Sequence, residues 1–474
     1  MDTFGWISVL PPLLAIILAI KTKHVYVSLL LGIWLGWTII NGWNPLNGLI
    51  DTLDILVDVF KEPDNTRVIL FSAMIGAIIT FTQYSGGMKG FVNWITGKGM
   101  VNTRRSAGLL AWVLGFIIFI ESSICVLVSG AVARPIFDKL KISREKLSYI
   151  LDSTSAPKCI IIPLNAWGAF VLGLLASQGV KDPVRVFVSS IPFNFYAFLA
   201  IALVLGVVLT GKDIGPMKTA ERRVKEENKV LRNGAEPLVS DEVVSMEKKA
   251  DIPPRAINMI LPVVTMVVTM PVVLLISGKG NLMEGSGSLS VLWSVIAGLM
   301  VGAIAYRVQG LMRTKEITDI FMKGVGGLVP LASLMILAFA IGDTCEALGT
   351  GPFVAQAAKA SLNPGLIPAV LFLVSCFIAF STGTSWGAFA IMIPIAVPMV
   401  NLIGLHPGLL LAAVLGGGVF GDHSSPISDT TIISSMASAT DHIDHVRTQI
   451  PYAFIAASVA VVLFLLVGFT ISPG

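Results

Sequence analysis

Apolar stretches of about the length needed to cross a lipid bilayer recur along nearly the whole chain. A transmembrane helix needs about 20 residues, whereas a strand of an outer-membrane barrel needs about ten residues of alternating polarity. Only 13% of the 474 residues are charged, so water cannot be the main solvent of this protein. The sequence therefore predicts an all-α polytopic membrane protein.

The apolar runs define the candidate helices. The first run has no basic residues before it and no cleavage site after it, so we expect a retained helix rather than a signal peptide. The candidate helices are 6–20, 24–40, 68–83, 108–132, 147–176, 187–210, 256–276, 289–306, 324–342, 365–400, 408–436 and 450–471.

Two of these runs carry polar interruptions that predict re-entrant hairpins. Segment 108–132 contains Glu121, Ser122 and Ser123, and segment 365–400 contains the polar run 381–385. Non-helical backbone at membrane depth is tolerated only where protein or a wet cavity satisfies its polar groups. Both interruptions are therefore expected to lie inside the protein.

One long hydrophilic segment, 211–255, divides the chain into halves. Placing the clusters of Lys and Arg in the cytoplasm predicts ten crossings, two hairpins and both termini outside the cytoplasm. The predicted division is N-terminal scaffold helices at 1–67, a first repeat at 68–210, a cytoplasmic linker at 211–255, scaffold helices at 256–323 and a second repeat at 324–474.

The halves resemble each other at matching positions. Met74 and Met335 are 261 residues apart, as are Phe116 and Phe377, and both pairs sit in similar local sequences. Because the first hairpin would enter from the cytoplasm and the second from outside, the pattern predicts an inverted repeat. This architecture is typical of secondary transporters that work by alternating access.

Each half is predicted to supply one polar hairpin tip and one helix broken by an Asp-Ser-rich segment ending in proline, 152–157 and 422–426. An isolated Ser or Thr usually makes only interhelical hydrogen bonds, but here they form runs beside Asp. Half-helix ends and freed carbonyls can bind ions and substrates. The predicted substrate or ion site comprises Glu121, Ser122, Ser123, Asp152, Ser153, Thr154, Ser155, Lys158, Thr382, Gly383, Thr384, Ser385, Asp422, His423, Ser424, Ser425, Ser428, Asp429 and Thr430.

Ionisable residues inside a membrane are costly and indicate function. Asp152, Asp422 and Asp429 are candidate Na⁺ ligands, because a proton and Na⁺ can compete for one carboxylate. His423 is a candidate for proton handling. Asp343 and Glu346 are weaker candidates, since they lie near a predicted helix end and could face water.

Lys158 allows two interpretations. Its ammonium could pair with Asp152 or Glu121 as a structural ion pair. Alternatively, it could take the place of a cation, receive a substrate carboxylate or carry the proton itself. The second interpretation would change the substrate.

Two further groups of residues have side chains that can bind a metal, but their sequence context does not favour a metal site. Asp441, His442 and His445 have suitable side chains, but they lie at a predicted cytoplasmic helix end where caps and charge pairs are ordinary. The four cysteines lie in or beside apolar runs without CxxC spacing and are expected to be packing thiols. We therefore predict no bound cofactor beyond a transported Na⁺. Asn165 and Trp167 could line the site or pack beside it.

The motifs together resemble the NhaC-type Na⁺/H⁺ antiporter family. They are 143–147 followed by 152–157, Gly383-Thr384-Ser385-Trp386-Gly387, the long run from Gly421 to Thr431, and 441–449. The resemblance implies membership of the ion transporter superfamily, with scaffold and transport domains, elevator-like movement and a homodimer. Two departures are Glu121-Ser122-Ser123, where relatives tend to have an acidic pair and an aromatic residue, and Lys158, where they have a small apolar residue.

Three functions compete on the sequence alone. The first is a Na⁺/H⁺ antiporter of a bacterial inner membrane, with Na⁺ and H⁺ as ligands and no nucleic-acid partner. The second is a proton- or Na⁺-coupled carrier of a small carboxylate or amino acid, with Lys158 in the substrate site. The third, an intramembrane metal-dependent hydrolase using Asp441, His442 and His445, lacks a HExxH-type pair and a nucleophile elbow, and we expect no enzyme.

Overall fold

The computed structural model describes residues 4–22, 24–96, 101–117, 122–163, 165–237 and 252–471. These ranges are helical apart from turns and one isolated bridge between Pro237 and Asp441. In chain order the helices are α1 Leu10–Thr22, α2 Val25–Ile40, α3 Pro45–Asp58, α4 Pro63–Tyr84, α5 Gly87–Thr96, α6 Arg104–Ile117, α7 Ser122–Lys139, α8 Arg144–Cys159, α9 Ala166–Ser177, α10 Pro183–Ser190, α11 Phe195–Thr210, α12 Gly215–Glu227, α13 Ile257–Ser277, α14 Gly287–Val308, α15 Thr314–Gly327, α16 Val329–Leu348, α17 Thr350–Ser361, α18 Ile367–Thr382, α19 Ser385–Ile403, α20 Pro407–Ser424, α21 Asp429–Ser438 and α22 His442–Ile471.

Within the described ranges, eight helical segments are long and apolar enough to cross a membrane. They include α4, α11, α13, α14, α16 and α22, together with both arms of the second predicted hairpin, α18 and α19. The apolar part of each is at least 18 residues long, close to the roughly 20 helical residues that cross the hydrocarbon core. This finding supports the predicted all-α membrane fold.

The second predicted hairpin is interrupted where its polar residues lie, whereas residues 118–121 of the first lie outside the described part of the chain. Helix α18 ends at Thr382 and α19 begins at Ser385, with Gly383 in the left-handed region (φ 72°) and Thr384 extended. Helix α6 ends at Ile117 and α7 begins at Ser122. The arms pack against each other in both cases. Whether the hairpins are re-entrant, and whether the halves form an inverted repeat, stays a prediction.

The predicted single helix 147–176 is wrong, and so is the position of its break. Residues 152–157 are helical within α8, and the chain leaves the helix only after Cys159. Pro157 lies in the last turn of α8, close to where the helix ends. The backbone hydrogen bond that proline cannot donate therefore does not break the helix at 152–157. A new helix, α9, starts after Asn165, whose side chain caps it by accepting a hydrogen bond from the Gly168 amide at 2.9 Å.

The predicted helix 408–436 is also two helices. The expected break falls close to its predicted place, since Asp422 to Ser424 still belong to α20 and residues 425–428 form the connection. Ser428 begins α21 as an N-cap, with its hydroxyl accepting from the Thr430 amide at 3.2 Å. A polar segment therefore separates two half-helices in the second half of the chain.

Apolar runs alone did not reveal the amphipathic helices. Six helices were not predicted, because the polar residues on one face lower their mean hydropathy; they are α3, α5, α10, α12, α15 and α17. Helix α12 lies in the predicted linker and is tied to α8: the Arg223 guanidinium lies 2.9 Å from a Glu145 carboxylate oxygen. The division into scaffold, repeat and linker segments stays a prediction.

The site is positioned by contacts between the two halves of the chain. Helix α20 packs along α18 and α19, while α21 lies against α7 and α8. Helix α22 contacts α8 and α11 as well as α18. The broken helices of both halves thereby share one buried region.

Candidate functional site

The Asp422 carboxylate lies in a cage of hydroxyl groups. Ser385 donates to its Oδ2 at 2.8 Å, and Thr430 donates to its Oδ1 at 3.2 Å. Ser428 also donates to Oδ1. Asp422 is only 3% exposed, so these partners replace water. Carboxylate and hydroxyl oxygens are ligands that hard cations prefer.

Three separate elements bring these groups together. Asp422 lies in the last turn of α20, Ser385 in the first turn of α19, and Ser428 and Thr430 at the start of α21. The approach of the hairpin tip is close: a Cβ on Gly383 would lie 2.7 Å from the Ile427 carbonyl oxygen. The cage thus forms only where hairpin α18–α19 meets the break between α20 and α21.

A second buried carboxylate, Asp152, has amide and imidazole partners. Gln449 Nε2 donates to Asp152 Oδ2 at 2.9 Å, and His445 Nε2 lies 3.2 Å from the same oxygen. Asp152 and His445 are fully buried. Since Oδ2 accepts, His445 carries its proton on Nε2 when neutral. Helix α22 of the second half therefore binds a carboxylate of the first.

His423 connects the two carboxylate clusters. It follows Asp422 in the chain, and its Nδ1 lies 3.2 Å from Gln449 Nε2, which also donates to Asp152. The other ring nitrogen, Nε2, contacts the hydroxyl of Tyr196. Gln449 Nε2 also donates to the backbone carbonyl of His423, so its two hydrogens serve that oxygen and Asp152, and its approach to Nδ1 is a close contact. A continuous polar chain thus runs from Tyr196 to Asp152.

Three polar atoms of the Asp152 cluster are buried without a hydrogen-bond partner among the described residues. They are Asp152 Oδ1, Gln449 Oε1 and His445 Nδ1. Each can accept a hydrogen bond, and a buried acceptor without a donor costs about 1–3 kcal/mol. The cluster is therefore short of donors. A proton on Asp152 or a bound water would supply one.

Other hydroxyl groups of the predicted site donate to backbone carbonyls. Thr154 donates to the Ile150 carbonyl, Thr382 to Ile378 and Ser424 to Phe420. Ser155 contacts the Asp152 carbonyl, and Ser425 donates to the Phe380 carbonyl at 2.7 Å. These five hydroxyls serve the backbone near the clusters rather than either carboxylate. Ser153 is buried in α8, and Thr384 lies at the hairpin tip.

Lys158 is fully buried against the first hairpin. Its ammonium donates to the Gly115 carbonyl near the end of α6 and lies 2.9 Å from Cys125 Sγ in α7. A helix C-terminus carries partial negative charge, so a cation is favourable there. These contacts support a structural role in holding α8 against the hairpin.

Three predicted site residues lie wholly or partly outside the described structure, and Ser122, beside two of them, is described. Glu121 lies outside the described residues, so its predicted pairing with Lys158 stays untested. Ser122 opens α7 and is buried. Ser123 and Asp429 lie within described helices, but their side chains lie outside the described part of the structure.

Asp441, His442 and His445 do not converge on a metal. Asp441 caps α22 by accepting from the Ile443 and Asp444 amides. The ring of His442 contacts Ser435 and the Pro426 carbonyl, whereas His445 turns to Asp152. Among the described residues, no group of three or more His, Cys, Asp or Glu side chains could hold a metal ion.

The remaining candidates lie beside the clusters. Trp167 packs on Trp386 and Phe389, with ring centroids 5.3 and 6.1 Å apart. Asp343 is half-buried and Glu346 is exposed, both in α16. The sequence analysis did not assign Gln449 or Tyr196 to the site. A lone Gln or Tyr in an apolar helix is common, although the position of Gln449 one turn after His445 was a usable signal.

Comparison with known proteins relates this geometry to a family. A profile described as "Na+/H+ antiporter family" matches residues 169–469. An uncharacterized protein of Haemophilus influenzae is 33% identical over 491 residues, which cover 98% of this chain and 91% of that protein. The malate-2H(+)/Na(+)-lactate antiporter of Bacillus subtilis is 25% identical over 155 residues, a third of each chain.

The chain belongs to the Na⁺/H⁺ antiporter family. It is accordingly a multi-pass membrane protein and a secondary transporter rather than an enzyme. The predicted resemblance to NhaC-type antiporters is confirmed at the level of this family.

A solved structure supports the fold of this antiporter-family chain. The crystal structure of the Alcanivorax borkumensis YdaH transporter aligns with a TM-score of 0.57 and covers 90% of both chains, at 13% identity. At that identity the likeness concerns the fold alone.

Proposed function

We propose that this transporter exchanges Na⁺ or Li⁺ for H⁺, with Asp422 holding the cation and Asp152 the proton. The Asp422 cage carries the proposal, since three hydroxyl groups from two separate helix starts surround one buried carboxylate. A small cation at this carboxylate would find oxygen ligands already in place. Family membership supports ions as substrates.

The proton is assigned to Asp152 because its cluster lacks donors. Protonating Oδ1 of this buried carboxylate would remove its charge and provide a donor where acceptors are in excess. Contacts of Gln449 with Asp152 and with His423, the residue that follows Asp422 in the chain, support coupling between the two carboxylates. Cation binding at one carboxylate would thereby favour proton release at the other through charge and hydrogen-bond rearrangement.

The movement and setting of the protein complete the proposal. We infer an elevator-like alternating access in which the hairpins and broken helices move against the remaining helices, as in transporters with broken helices near the midplane. The working unit is a homodimer in a bacterial inner membrane, with both termini outside the cytoplasm. Clusters of Lys and Arg between the helices support this orientation.

A second candidate is exchange of a small carboxylate or amino acid. The buried ammonium of Lys158 favours it, because such a group can bind a carboxylate. The B. subtilis relative is named for malate and lactate. Under this alternative, substrate would have to displace the contacts of Lys158 with Gly115 and Cys125.

Proteoliposomes that contain a pH-sensitive dye separate these candidates. We expect external Na⁺ or Li⁺, but not an inert choline salt, to drive proton movement in the wild type, and Asp422→Asn to abolish it. Lys158→Ala should retain a cation response. The second candidate would instead be established by two results together. The protein would transport an organic acid or amino acid without responding to cations, and Lys158→Ala would lose that transport.

A further inference from the structure

A cationic pocket lies at one end of α6, α8, α11 and α12, apart from both carboxylate clusters. Its volume is about 230 Å³. Four basic side chains line it, and Glu221 is the one acidic residue in the lining; the basic residues are Arg104, Arg105, Lys146 and Lys225.

Two of these cations already have partners. Arg104 pairs with Glu221, which also accepts hydrogen bonds from the amide and hydroxyl of Ser143. Lys146 donates to the Asp213 carboxylate at 3.0 Å. The single acidic charge in the lining is therefore neutralised within the protein.

The other two cations remain available to a ligand. Arg105 and Lys225 are exposed, and neither forms a salt bridge with any residue that the structure describes. Arg105 also lies in the first turn of α6, where the helix dipole adds positive potential. Together these groups give the pocket an excess of about two positive charges.

Apart from Thr210, the remaining side chains of the wall are apolar, and the wall includes part of α11. Ile150 and Val208 are among the lining residues. Helix α11, which carries Val208, exposes Phe198 and Leu209 by 44% and 46%. A ligand suited to this pocket combines an anionic group with an apolar part, and it would lie at the boundary between membrane and water.

We propose that this pocket binds the phosphate group of an anionic phospholipid. Arginine and lysine both recognise phosphate, and basic pockets between transmembrane helices suit lipid headgroups. The shared chemistry is a phosphoryl anion, so inorganic phosphate is the competing source. The pocket lies at the end of α11 beside the exposed Leu209, and this position favours the lipid.

The test measures ligand binding and thermal stability of the purified full-length protein in a neutral detergent. The probes are cardiolipin, phosphatidylglycerol, phosphatidylcholine and inorganic phosphate. Arg105→Gln combined with Lys225→Gln removes the two available cations. Lys218→Gln combined with Arg222→Gln is the matched control, because both residues are exposed on α12 and lie outside the pocket.

We expect cardiolipin and phosphatidylglycerol to bind more tightly than phosphatidylcholine. The pocket variant should lose roughly fivefold in affinity for each cation removed, and the control should match the wild type. Equal protection by inorganic phosphate would identify a site for the free anion. Indifference to headgroup charge, or equal affinities in the pocket and control variants, would overturn the proposal.

Discussion

At the scale of single residues, the hydroxyl groups of the site are of two kinds. Some donate to the Asp422 carboxylate, and others donate to a backbone carbonyl of their own helix. Ser385 donates to Asp422 at 2.8 Å, whereas the buried Ser424 donates to the Phe420 carbonyl of its own helix. Both serines are buried residues of the predicted site, and they differ in what they bind. This pair therefore allows a controlled test.

Ser385→Ala should weaken Na⁺ affinity about tenfold, because a hydrogen bond to a charged group contributes about 1.5–3 kcal/mol and the site loses an oxygen ligand. Ser424→Ala should change the affinity by less than about threefold. The measurement is the Na⁺ concentration that gives half-maximal proton movement in proteoliposomes. Equal effects of the two substitutions would contradict the cage.

Lys158 tests whether a buried cation is structural. Lys158→Met keeps the apolar stem but removes the donor to the Gly115 carbonyl, so we expect stability to fall by about 1–3 kcal/mol. Cation-driven exchange at saturating Na⁺ should persist. The checks are thermal unfolding in detergent and the dye assay; unchanged stability with complete loss of transport would assign Lys158 to the substrate site.

At the scale of helices, the tip of hairpin α18–α19 is held in place by glycine. Gly383→Ala adds a Cβ that would lie 2.7 Å from the Ile427 oxygen, and it forces alanine to adopt φ 72°. Gly349 is the matched control, since its φ is 70° and a Cβ there meets nothing within 4 Å. The left-handed conformation costs each alanine about 1–2 kcal/mol.

We therefore expect both alanine variants to lose stability and only Gly383→Ala to lose Na⁺ affinity, because displacing the tip moves Ser385. Thermal unfolding and the half-maximal Na⁺ concentration report the two effects separately. Normal Na⁺ affinity in Gly383→Ala would mean that the tip does not position the site.

The start of α22 supplies a prediction about pH. Burial alone would raise the pKa of the Asp441 carboxyl, but hydrogen bonds from the Glu236, Asp444 and Ile443 amides and the charge of Arg232 lower the pKa below its ordinary value. A lowered pKa in the folded state adds stability above the unfolded pKa, and this stability is lost as the pH falls through the folded pKa.

Asp441→Ala should reduce stability by about 1 kcal/mol near pH 7, the usual effect of losing an N-cap. The difference from the wild type should narrow below about pH 4, where the wild-type carboxylate becomes protonated. Thermal unfolding across this pH range measures it, and Asp441→Asn, which keeps a cap without charge, is the control. A difference that grows with acidity would contradict the assignment.

The breaks in the helices show how far sequence patterns reach. The polar run at 381–385 and the segment at 422–426 located two interruptions within a few residues, because glycine and clustered hydroxyls disfavour continuous helix in an apolar segment. The break that the sequence predicted at 152–157 lies instead after Cys159, because Pro157 is too near the end of α8 to interrupt the helix earlier. Capping by Asn165, not proline, decides where α9 begins.

At the scale of the whole molecule, the site depends on contacts between distant parts of the chain. Sequence analysis found Asp152, Asp422 and His423 from their cost inside a membrane. It could not pair Asp152 with Gln449 and His445, which lie 297 and 293 residues away. Nor could it separate Ser385 from the neighbouring hydroxyls, because only the approach of the hairpin to α20 distinguishes them.

The two carboxylates give the account its central claim: Asp422 binds the cation and Asp152 releases the proton. Calorimetric titration of the purified protein with Na⁺, in buffers of different ionisation enthalpy, counts the protons released per cation bound. We predict about one proton in the wild type, Na⁺ binding without proton release in Asp152→Asn, and no Na⁺ binding in Asp422→Asn. Proton release that persists in Asp152→Asn, or Na⁺ binding that persists in Asp422→Asn, would contradict the claim.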